Sequence, residues 1–364
     1  LKVTKIHFLN YLWKIMKMKN TYRILGVMSG TSMDGLDLAI CSFNKTKEWN
    51  FKIEKCKTVK YTKKWKHILS NLHNSSKQNI LKHDIIYAKL IAEEIKKFLK
   101  NENVDFIASH GHTIFHQPEN KYTLQIGNGN TIANITRLKT ITNFRNLDIS
   151  LGGQGAPLVP IGDLKLFKKF KYCLNIGGIA NISIKEKNKI KAFDICPANI
   201  ILNKISRKLN LDYDNNGKIA KEGKIISKLF SELNHLSFYN NKSPKSLSRE
   251  WVEKYVDPLI LERYNHKDVL HTLCEHIGLQ IGQYLKEDKT LVTGGGAFNK
   301  FLIERIENYS NSQMFIPDKK IINFKEALIF AFLGLLKINN QNNCLKSVTG
   351  AKQNSCGGEI NNPL

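Results

Sequence analysis

The sequence contains no apolar run of the roughly 20 residues that a membrane-spanning helix needs, so it predicts a soluble protein with no membrane partner. Its seven cysteines include no CxxC pair, and an odd number of thiols cannot all be paired. The cysteines therefore argue against a disulfide framework. Reduced thiols are typical of the cytoplasm, where we expect the protein to be located.

Several well-known nucleotide-binding motifs are also missing. There is no GxxxxGK[ST] segment, which excludes a P-loop enzyme, and no HRD or DFG triplet, which excludes a protein kinase. Gly127-Asn128-Gly129 lacks the third glycine of a dinucleotide fingerprint, so a Rossmann-type site is not predicted.

The beginning of the chain lacks the long apolar core and the small-residue cleavage site of a secretory signal. Its first twenty residues are basic and weakly amphipathic. We therefore interpret residues 1–21 as a basic N-terminal extension, with an anchor on a membrane surface as the alternative.

Negative charge is scarce, since Lys+Arg minus Asp+Glu is 56 − 31 = +25. Such an excess raises the possibility of nucleic-acid binding, which would weaken steeply with salt. The lysines are spread along the chain, however, and no RNA-binding aromatic pattern or zinc-finger spacing accompanies them. We expect no nucleic-acid partner, and a positive field that attracts anionic nucleotides.

What the sequence does contain is a repeated strand–glycine turn–strand unit. The 364 residues suit two domains of ordinary size. Tyr22–Met28 and Leu36–Ser42 are typical of buried strands flanking one glycine turn, and Tyr172–Ile176 and Ala180–Ile184 flank another. The repetition predicts an internally duplicated α/β fold.

The remaining pattern predicts helices at 80–99, 199–209, 219–233 and 266–285. A last strand at 290–293 precedes three glycines, and 326–336 is apolar enough to be buried. The Asn-rich and Lys-rich segment 338–346 is predicted to be a surface loop.

The first glycine turn has the composition of a phosphate site. Successive backbone N–H groups of small residues form a concavity for phosphate oxygens, and hydroxyl groups add donors. Asp34 is a candidate carboxylate for Mg²⁺, most simply through water, because this hard cation prefers oxygen ligands and retains waters. An ordinary hairpin turn uses the same residue types, so that alternative stays open. The candidate ATP-binding residues here are Gly30, Thr31, Ser32, Met33, Asp34, Gly35 and Asp37.

Two further glycine turns follow buried strands in the second half of the chain. Gly177 and Gly178 form one, and Gly294, Gly295 and Gly296 form the other. Each lets the backbone approach a ligand, so three such turns favour a nucleotide site much more strongly than one.

Seven segments, in order, resemble the anhydro-N-acetylmuramic acid kinase family. The segments GTSMDG and GGQGAPLVP are the most specific of them. The matching segments are GVMSGTSMDGLD (26–37), SHGHTIFHQP (109–118), GGQGAPLVP (152–160), NIGGIANIS (175–183), PKSLSRE (244–250), GGGAFN (294–299) and VTGA (348–351).

The resemblance implies a two-domain actin-like ATPase (ribonuclease H-like) fold with ATP in the cleft between the domains. Residues 22–141 plus 340–364 would form the first domain and residues 142–339 the second. It implies that water opens the 1,6-anhydro ring of anhydro-N-acetylmuramic acid (anhydroMurNAc) while the γ-phosphoryl group moves to O6. N-acetylmuramic acid 6-phosphate and ADP would be the products, in peptidoglycan recycling. ATP and Mg²⁺ would be required, and the protein would be a homodimer.

Particular residues match the motifs of the family. Asp194 matches the catalytic base that deprotonates the attacking water, and Glu326 matches a second carboxylate of the cleft. From local sequence alone, Asp194 is equally a strand-end residue that caps the next helix, and Glu326 a helix-start residue. Thr113 and Arg145 match positions that contact the sugar, and an arginine can also pair with the lactyl carboxylate of the substrate.

The sequence departs from the family pattern in a few places. Cys196 and Ala198 stand where the family has glycine, and His112 stands where glutamine is usual. Because lost glycines restrict the backbone beside the proposed base, a non-catalytic nucleotide-binding protein on the same fold is the alternative function. His110, His112 and His116 resemble a metal cluster but have no acidic or cysteine partner at ligand spacing, so we do not predict a metal there.

Overall fold

Six strands form the first sheet of the protein in a computed structural model, which describes residues 21–30, 33–187, 189–241 and 245–364. The thirteen strands of the described chain are β1 Thr21–Ser29, β2 Gly35–Lys45, β3 Trp49–Lys60, β4 Phe106–Ser109, β5 His112–Gln117, β6 Tyr122–Ile126, β7 Thr140–Thr142, β8 Tyr172–Ile176, β9 Ile179–Glu186, β10 Lys189–Pro197, β11 Lys289–Thr293, β12 Gln313–Phe315 and β13 Glu359–Asn361. The first sheet has the order β13-β7-β4-β1-β2-β3. Within it β1 pairs antiparallel with β2 and parallel with β4.

The second sheet repeats this plan. Its order is β10-β9-β8-β11-β12, in which β8 pairs antiparallel with β9 and parallel with β11. In both sheets the first strand lies centrally, with an antiparallel hairpin partner on one side and a parallel strand on the other. The repeated order confirms the predicted duplication and the two-domain actin-like α/β fold. Strands β5 and β6 form a separate two-stranded ribbon.

Helices cover both sheets. They are α1 Lys63–Asn71, α2 Lys77–Leu99, α3 Gly129–Thr136, α4 Asn146–Ser150, α5 Pro160–Leu166, α6 Asn199–Lys208, α7 Lys218–Lys221, α8 Ser227–Asn234, α9 Arg249–Tyr255, α10 His266–Gly282, α11 Lys300–Asn308, α12 Lys319–Ile338 and α13 Lys346–Thr349. Several begin at side-chain caps that accept a backbone N–H: Ser76 caps α2, Asn299 caps α11 and Asp318 caps α12. No helix in this described part of the chain is long and apolar enough to cross a membrane.

Helix α12 is the apolar centre of the molecule. It packs against β1, β2 and β4 of the first sheet and also contacts β11 of the second. Glycines permit the close approach: a Cβ atom at Gly26 of β1 would lie 2.0 Å from the Ala327 carbonyl oxygen, and one at Gly334 would lie 2.7 Å from Ala108 Cβ. The helix thereby holds Ala327, and with it the neighbouring Glu326, against β1.

Most predicted elements are confirmed, and β8 has the predicted bounds. Two predictions are wrong. The single helix at 219–233 is two helices, α7 and α8, because Gly223 packs directly against the Lys267 carbonyl and interrupts the segment. The surface loop at 338–346 contains buried residues, since Asn343 donates to the Leu333 carbonyl and Cys344 pairs with Ser355.

The proposed domain bounds stay a prediction. Strand β13 lies in the first sheet, beside β7, and so ties the end of the chain to that half. Helix α12, placed by the prediction in the second half, contacts both sheets. Strand β1 begins at Thr21, one residue earlier than predicted, and residues 1–20 of the predicted extension lie outside the described residues.

Candidate active site

The carboxyl edge of the second sheet brings two of the predicted glycine turns together. Strands β8 and β11 run parallel with Asn175 opposite Thr293, so the turns that follow them are neighbours. Gly294 has a φ of 82° and packs so closely against Ile176 that an added Cβ atom would lie 2.7 Å from its carbonyl oxygen. Asn199, the first residue of α6, donates its side-chain amide to that carbonyl at 3.0 Å. One compact unit therefore holds both turns.

The glycines of this unit fall into two kinds. Gly294 and Gly296 are required by internal packing, since an added Cβ atom at Gly296 would lie 2.2 Å from Ile176 Cγ2. Gly178 and Gly295 are exposed, and the nearest atoms to an added Cβ would lie 3.8 Å and 3.6 Å away. Gly177 is intermediate, at 3.4 Å. The surface beside Gly178 and Gly295 is open, so these residues fit a ligand that contacts the backbone directly.

The first glycine turn joins β1 to β2. Met33 has a positive φ of 56° and donates its N–H to the Gly30 carbonyl at 3.2 Å. Gly35 lies too close to β3 for a side chain, since an added Cβ atom would be 2.6 Å from the Val59 carbonyl oxygen. Asp34 is exposed at the turn. Thr31 and Ser32, which the sequence also predicts to bind phosphate, lie outside the described residues.

Three charged residues from separate elements share one electrostatic environment. Asp37 of β2, Arg145 at the start of α4 and Glu326 of α12 lie close enough for Arg145 and Asp37 both to alter the pKa of Glu326. Desolvation raises the pKa of Glu326, Arg145 opposes that rise and Asp37 adds to it. Solvent nevertheless reaches the Glu326 side chain. A group that is both accessible and surrounded by protein lies in a cleft.

Asp37 and Arg145 are both held by neighbours. Asp37 accepts a 2.5 Å hydrogen bond from the Thr58 hydroxyl, while burial, with a smaller contribution from Asp34, raises its pKa. Burial lowers the pKa of Arg145 to about 10, although Glu326 opposes the effect. Arg145 donates to His110 Nε2 and to the Gly155 carbonyl.

Asp194 lies on the same carboxyl edge of the second sheet as the glycine unit. It stands opposite Asn181, which in turn stands opposite Asn175, so the three form one row across β10, β9 and β8. Its Oδ2 atom accepts a 2.8 Å hydrogen bond from the Leu247 N–H, and its own N–H donates to the Lys245 carbonyl. Burial raises the pKa of Asp194, and the Leu247 N–H opposes that rise.

The remaining predicted positions surround the ribbon of β5 and β6. Thr113 pairs with Gln125 there, half-buried. The three histidines have separate partners: His110 contacts Arg145, His112 hydrogen-bonds to Ser29 Oγ at 2.9 Å, and His116 to Thr123 Oγ1 at 3.2 Å. No group of three or more His, Cys, Asp or Glu side chains suited to a metal ion occurs among residues that the structure describes.

With this geometry established, comparison with known proteins identifies the family. A family model described as anhydro-N-acetylmuramic acid kinase matches residues 22–363. The chain belongs to this family. A relative named anhydro-N-acetylmuramic acid kinase from Francisella tularensis subsp. novicida (strain U112) is 35% identical over 372 residues, covering 93% of this chain and 98% of that protein. One of the same name from Bacillus cereus (strain G9842) is 32% identical over 378 residues, covering 93% and 99%.

Solved structures show a more distant likeness. The activator of the 2-hydroxyisocaproyl-CoA dehydratase from Clostridium difficile, with bound ADPNP, superposes with a TM-score of 0.44 and 13% sequence identity, over 87% of this chain and 97% of that one. The family assignment depends on the sequence relatives, and it confirms the resemblance drawn from the motifs. Membership of a kinase family also supports the predicted use of ATP.

The sequence did not reveal which residues hold Arg145 and Asp194 in place. His110 and Gly155 hold Arg145, Leu247 holds Asp194, and Asp148 accepts from the Gly155 N–H at 2.8 Å and from the Thr349 hydroxyl. His110, Gly155, Leu247 and Thr349 lie in the quoted family segments, whereas Asp148 does not. A motif marks a residue as a candidate for the site but does not show which side chain it contacts.

Proposed function

We propose that this protein uses ATP and water to convert anhydroMurNAc to N-acetylmuramic acid 6-phosphate and ADP. The observation that carries the proposal is the arrangement of the second sheet, whose carboxyl edge bears both the open glycines Gly178 and Gly295 and the half-buried carboxylate of Asp194. A phosphate cradle and a general base on one rigid edge suit a reaction that couples hydrolysis to phosphoryl transfer. Family membership supplies the substrate class.

Asp194 would act as the base. It takes a proton from water as the oxygen forms a bond to the anomeric carbon, the bond from that carbon to O6 breaks, and O6 becomes the acceptor of the phosphoryl group. The raised pKa of Asp194 makes it a stronger base than an exposed aspartate, and the Leu247 N–H fixes its orientation. Glu326 would be the second carboxylate, while Thr113 and Arg145 would contact the sugar.

ATP would lie between the two halves of the molecule. The backbone at Gly30–Gly35 with the Asp37 side chain, at Gly177–Gly178 and at Gly294–Gly296 would hold it, and Thr31 and Ser32 belong to the same proposal. Mg²⁺, when bound, would neutralise charge on the triphosphate. The exposed carboxylate of Asp34 provides the oxygen ligand that this ion prefers, directly or through water.

The cysteines bear on the compartment in which the protein works and on the alternative function. All seven cysteines are free, which supports the proposal that the protein works in a reducing cytoplasm; by analogy with its family it would be a homodimer. Cys196 and Ala198 are fully buried in the core of the second half. Their side chains therefore do not obstruct the cleft, and neither residue has the positive φ that would require glycine.

The test is a coupled ADP-release assay with anhydroMurNAc, run beside N-acetylmuramic acid and N-acetylglucosamine. ADP release with the anhydro sugar alone, with one oxygen from ¹⁸O-labelled water at the anomeric carbon and phosphate on O6, is the expected result. Release with all three sugars would indicate a general hexosamine kinase instead. ATP binding in a thermal-shift assay without any phosphosugar would support the non-catalytic alternative.

A further inference from the structure

The guanidinium of Arg145 has an uncommon environment for a cation inside a protein. Its hydrogen bonds go to uncharged acceptors: Nε and Nη2 donate to His110 Nε2 at 3.0 Å and 2.8 Å, and Nη1 donates to the Gly155 carbonyl at 2.7 Å. No carboxylate lies within 4.0 Å of the Arg145 nitrogens among the described residues. Arg145 thus keeps its full positive charge within the cleft.

His110 is held so that its Nε2 atom can only accept. It is 5% exposed, and its Nδ1 lies 3.0 Å from the Gly111 carbonyl oxygen. Because a carbonyl cannot donate, Nδ1 carries the proton and Nε2 presents a lone pair to Arg145. Burial, followed by the charge of Arg145, keeps the pKa of His110 well below its ordinary value, and His112 and His116 act in the same direction. The ring packs on Phe330 at a centroid distance of 4.6 Å.

The count of donors shows what Arg145 has left to offer. A guanidinium has five N–H groups in a rigid plane, and His110 and Gly155 occupy one on each nitrogen. Two N–H groups remain, one on Nη1 and one on Nη2. An anionic ligand with two oxygens can use both and pair directly with the guanidinium, as in Arg–carboxylate pairs.

We propose that His110 is a positioning residue that holds Arg145 to receive the lactyl carboxylate of a muramyl sugar. This inference rests on the proposed function. His110 itself does not touch the substrate; it fixes the plane of the guanidinium through Nε2 without neutralising its charge. The pair would therefore distinguish anhydroMurNAc from 1,6-anhydro-N-acetylglucosamine, which has the same ring system but lacks the carboxylate.

The test compares the two anhydro sugars in His110→Phe, which keeps a ring against Phe330 but has no acceptor. We expect the KM for anhydroMurNAc to rise about 10- to 100-fold, as for the loss of an ordered charge-assisted contact, with the KM for ATP unchanged. The weaker reaction with the sugar that lacks the carboxylate should lose much less, because that sugar has no carboxylate for Arg145 to bind. His110→Gln, whose amide oxygen can accept from Arg145, should recover most of the affinity for anhydroMurNAc.

Two controls separate positioning from general damage. His276→Phe removes another buried histidine, one bonded to Asn234 and Tyr239 in the second half, and should lower stability without changing the KM for sugar. Combining His110→Phe with Arg145→Ala should be no worse than Arg145→Ala alone. Additive effects, or an equal loss on both sugars, would overturn the positioning role.

A measurement on the unaltered protein covers the case in which the variant does not fold. Nitrogen-15 NMR should show His110 as the neutral tautomer protonated on Nδ1, and either the Nε2-protonated tautomer or the imidazolium would overturn the proposal. If calorimetry and turnover show that the wild-type protein ignores both anhydro sugars, the proposed function fails as well. If it uses both equally well, the proposed chemistry survives and only the role of His110 and Arg145 fails.

Discussion

Asp194 illustrates how one side chain obtains its chemistry from the residues around it. Desolvation alone would raise the pKa of its carboxyl group and leave it poorly oriented. The Leu247 N–H, which comes from a segment 53 residues further along the chain, limits the rise and fixes one carboxylate oxygen. The result is a carboxylate that is more basic than one in water and is held in a fixed orientation.

Replacing Asp194 by Asn should remove the group that accepts the proton without disturbing the surrounding residues. We expect kcat to fall by about 10²–10⁴-fold, because the amide cannot accept the proton, while ATP binding persists. Asn can still accept from Leu247, so the fold should be retained. A coupled assay and ATP titration check this, and near-wild-type turnover would show that another residue is the base.

The same pKa shift predicts the direction of a stability change. When the pKa of a carboxyl group is higher in the folded state than in the unfolded state, the group stabilises the fold at pH values below its unfolded-state pKa. That contribution is lost as the pH rises through the folded-state pKa. Above its folded-state pKa, the ionised Asp194 therefore opposes folding. The unfolding temperature of Asp194→Asn should equal or exceed that of the wild type at pH 7, with the advantage shrinking in acid.

Activity should depend on pH in a matching way. The base must be deprotonated, so kcat/KM should fall in acid with an inflection above 3.8, the ordinary value for aspartate. The pKa of Glu326 is also raised, so the acid limb of the observed pH–rate profile reports the ionisation of Asp194 and Glu326 together. A pH–rate profile of Glu326→Gln would separate them: the acid limb should persist, and its complete loss would assign the limb to Glu326.

At the scale of elements, a glycine turn can serve either packing or ligand binding, and two alanine variants distinguish these roles. Gly178→Ala adds a methyl group in open space, so stability should not change, while the KM for ATP should rise because the methyl group covers the backbone. Gly26→Ala places a methyl group against the Ala327 carbonyl, so the free energy of unfolding should fall by about 1–3 kcal/mol.

Denaturant unfolding and ATP titrations on both variants test this contrast. Gly178→Ala with unchanged affinity for ATP would show that this turn does not contact the nucleotide. Gly26→Ala with wild-type stability would show that α12 can move away from β1, contrary to the close packing described above.

At the scale of the whole molecule, a buried ion pair joins the two halves. Lys325 of α12 lies 2.7 Å from Asp163 of α5, and both side chains are almost fully buried. Helix α5 contacts β3 of the first sheet and β9 and β10 of the second. The pair therefore lies where the cores of both halves meet, directly beside Glu326.

Breaking this pair should be costly. Lys325→Met leaves Asp163 as an unpaired buried charge, so we expect the free energy of unfolding to fall by about 3–5 kcal/mol, and the double variant with Asp163→Leu to recover much of it. The exposed pair of Lys191 and Glu186 is a matched control, for which Lys191→Met should cost at most about 1 kcal/mol. Urea unfolding of the three variants measures both differences, and equal effects at the two sites would contradict the account.

The sequence by itself determined the strands, the duplicated plan and the family. Strand periodicity and glycine turns are local properties, which is why β8 was predicted with its observed bounds. The long helix predicted at 219–233 failed because Gly223 breaks it by contacting Lys267, a residue distant in the sequence. The loop at 338–346 failed for a similar reason, since Asn343 is buried by its hydrogen bonds to Leu333 and Gly357.

Only the tertiary structure decided which partner each functional residue has. Arg145 and His110 are 35 positions apart, and Asp37 and Glu326 lie at opposite ends of the chain. The sequence singles out all four residues but does not reveal that Arg145 donates to a neutral histidine while Glu326 remains open to solvent. Hydrogen-bond partners and desolvation depend on how separate elements pack, and that packing is a property of the whole fold rather than of any local segment.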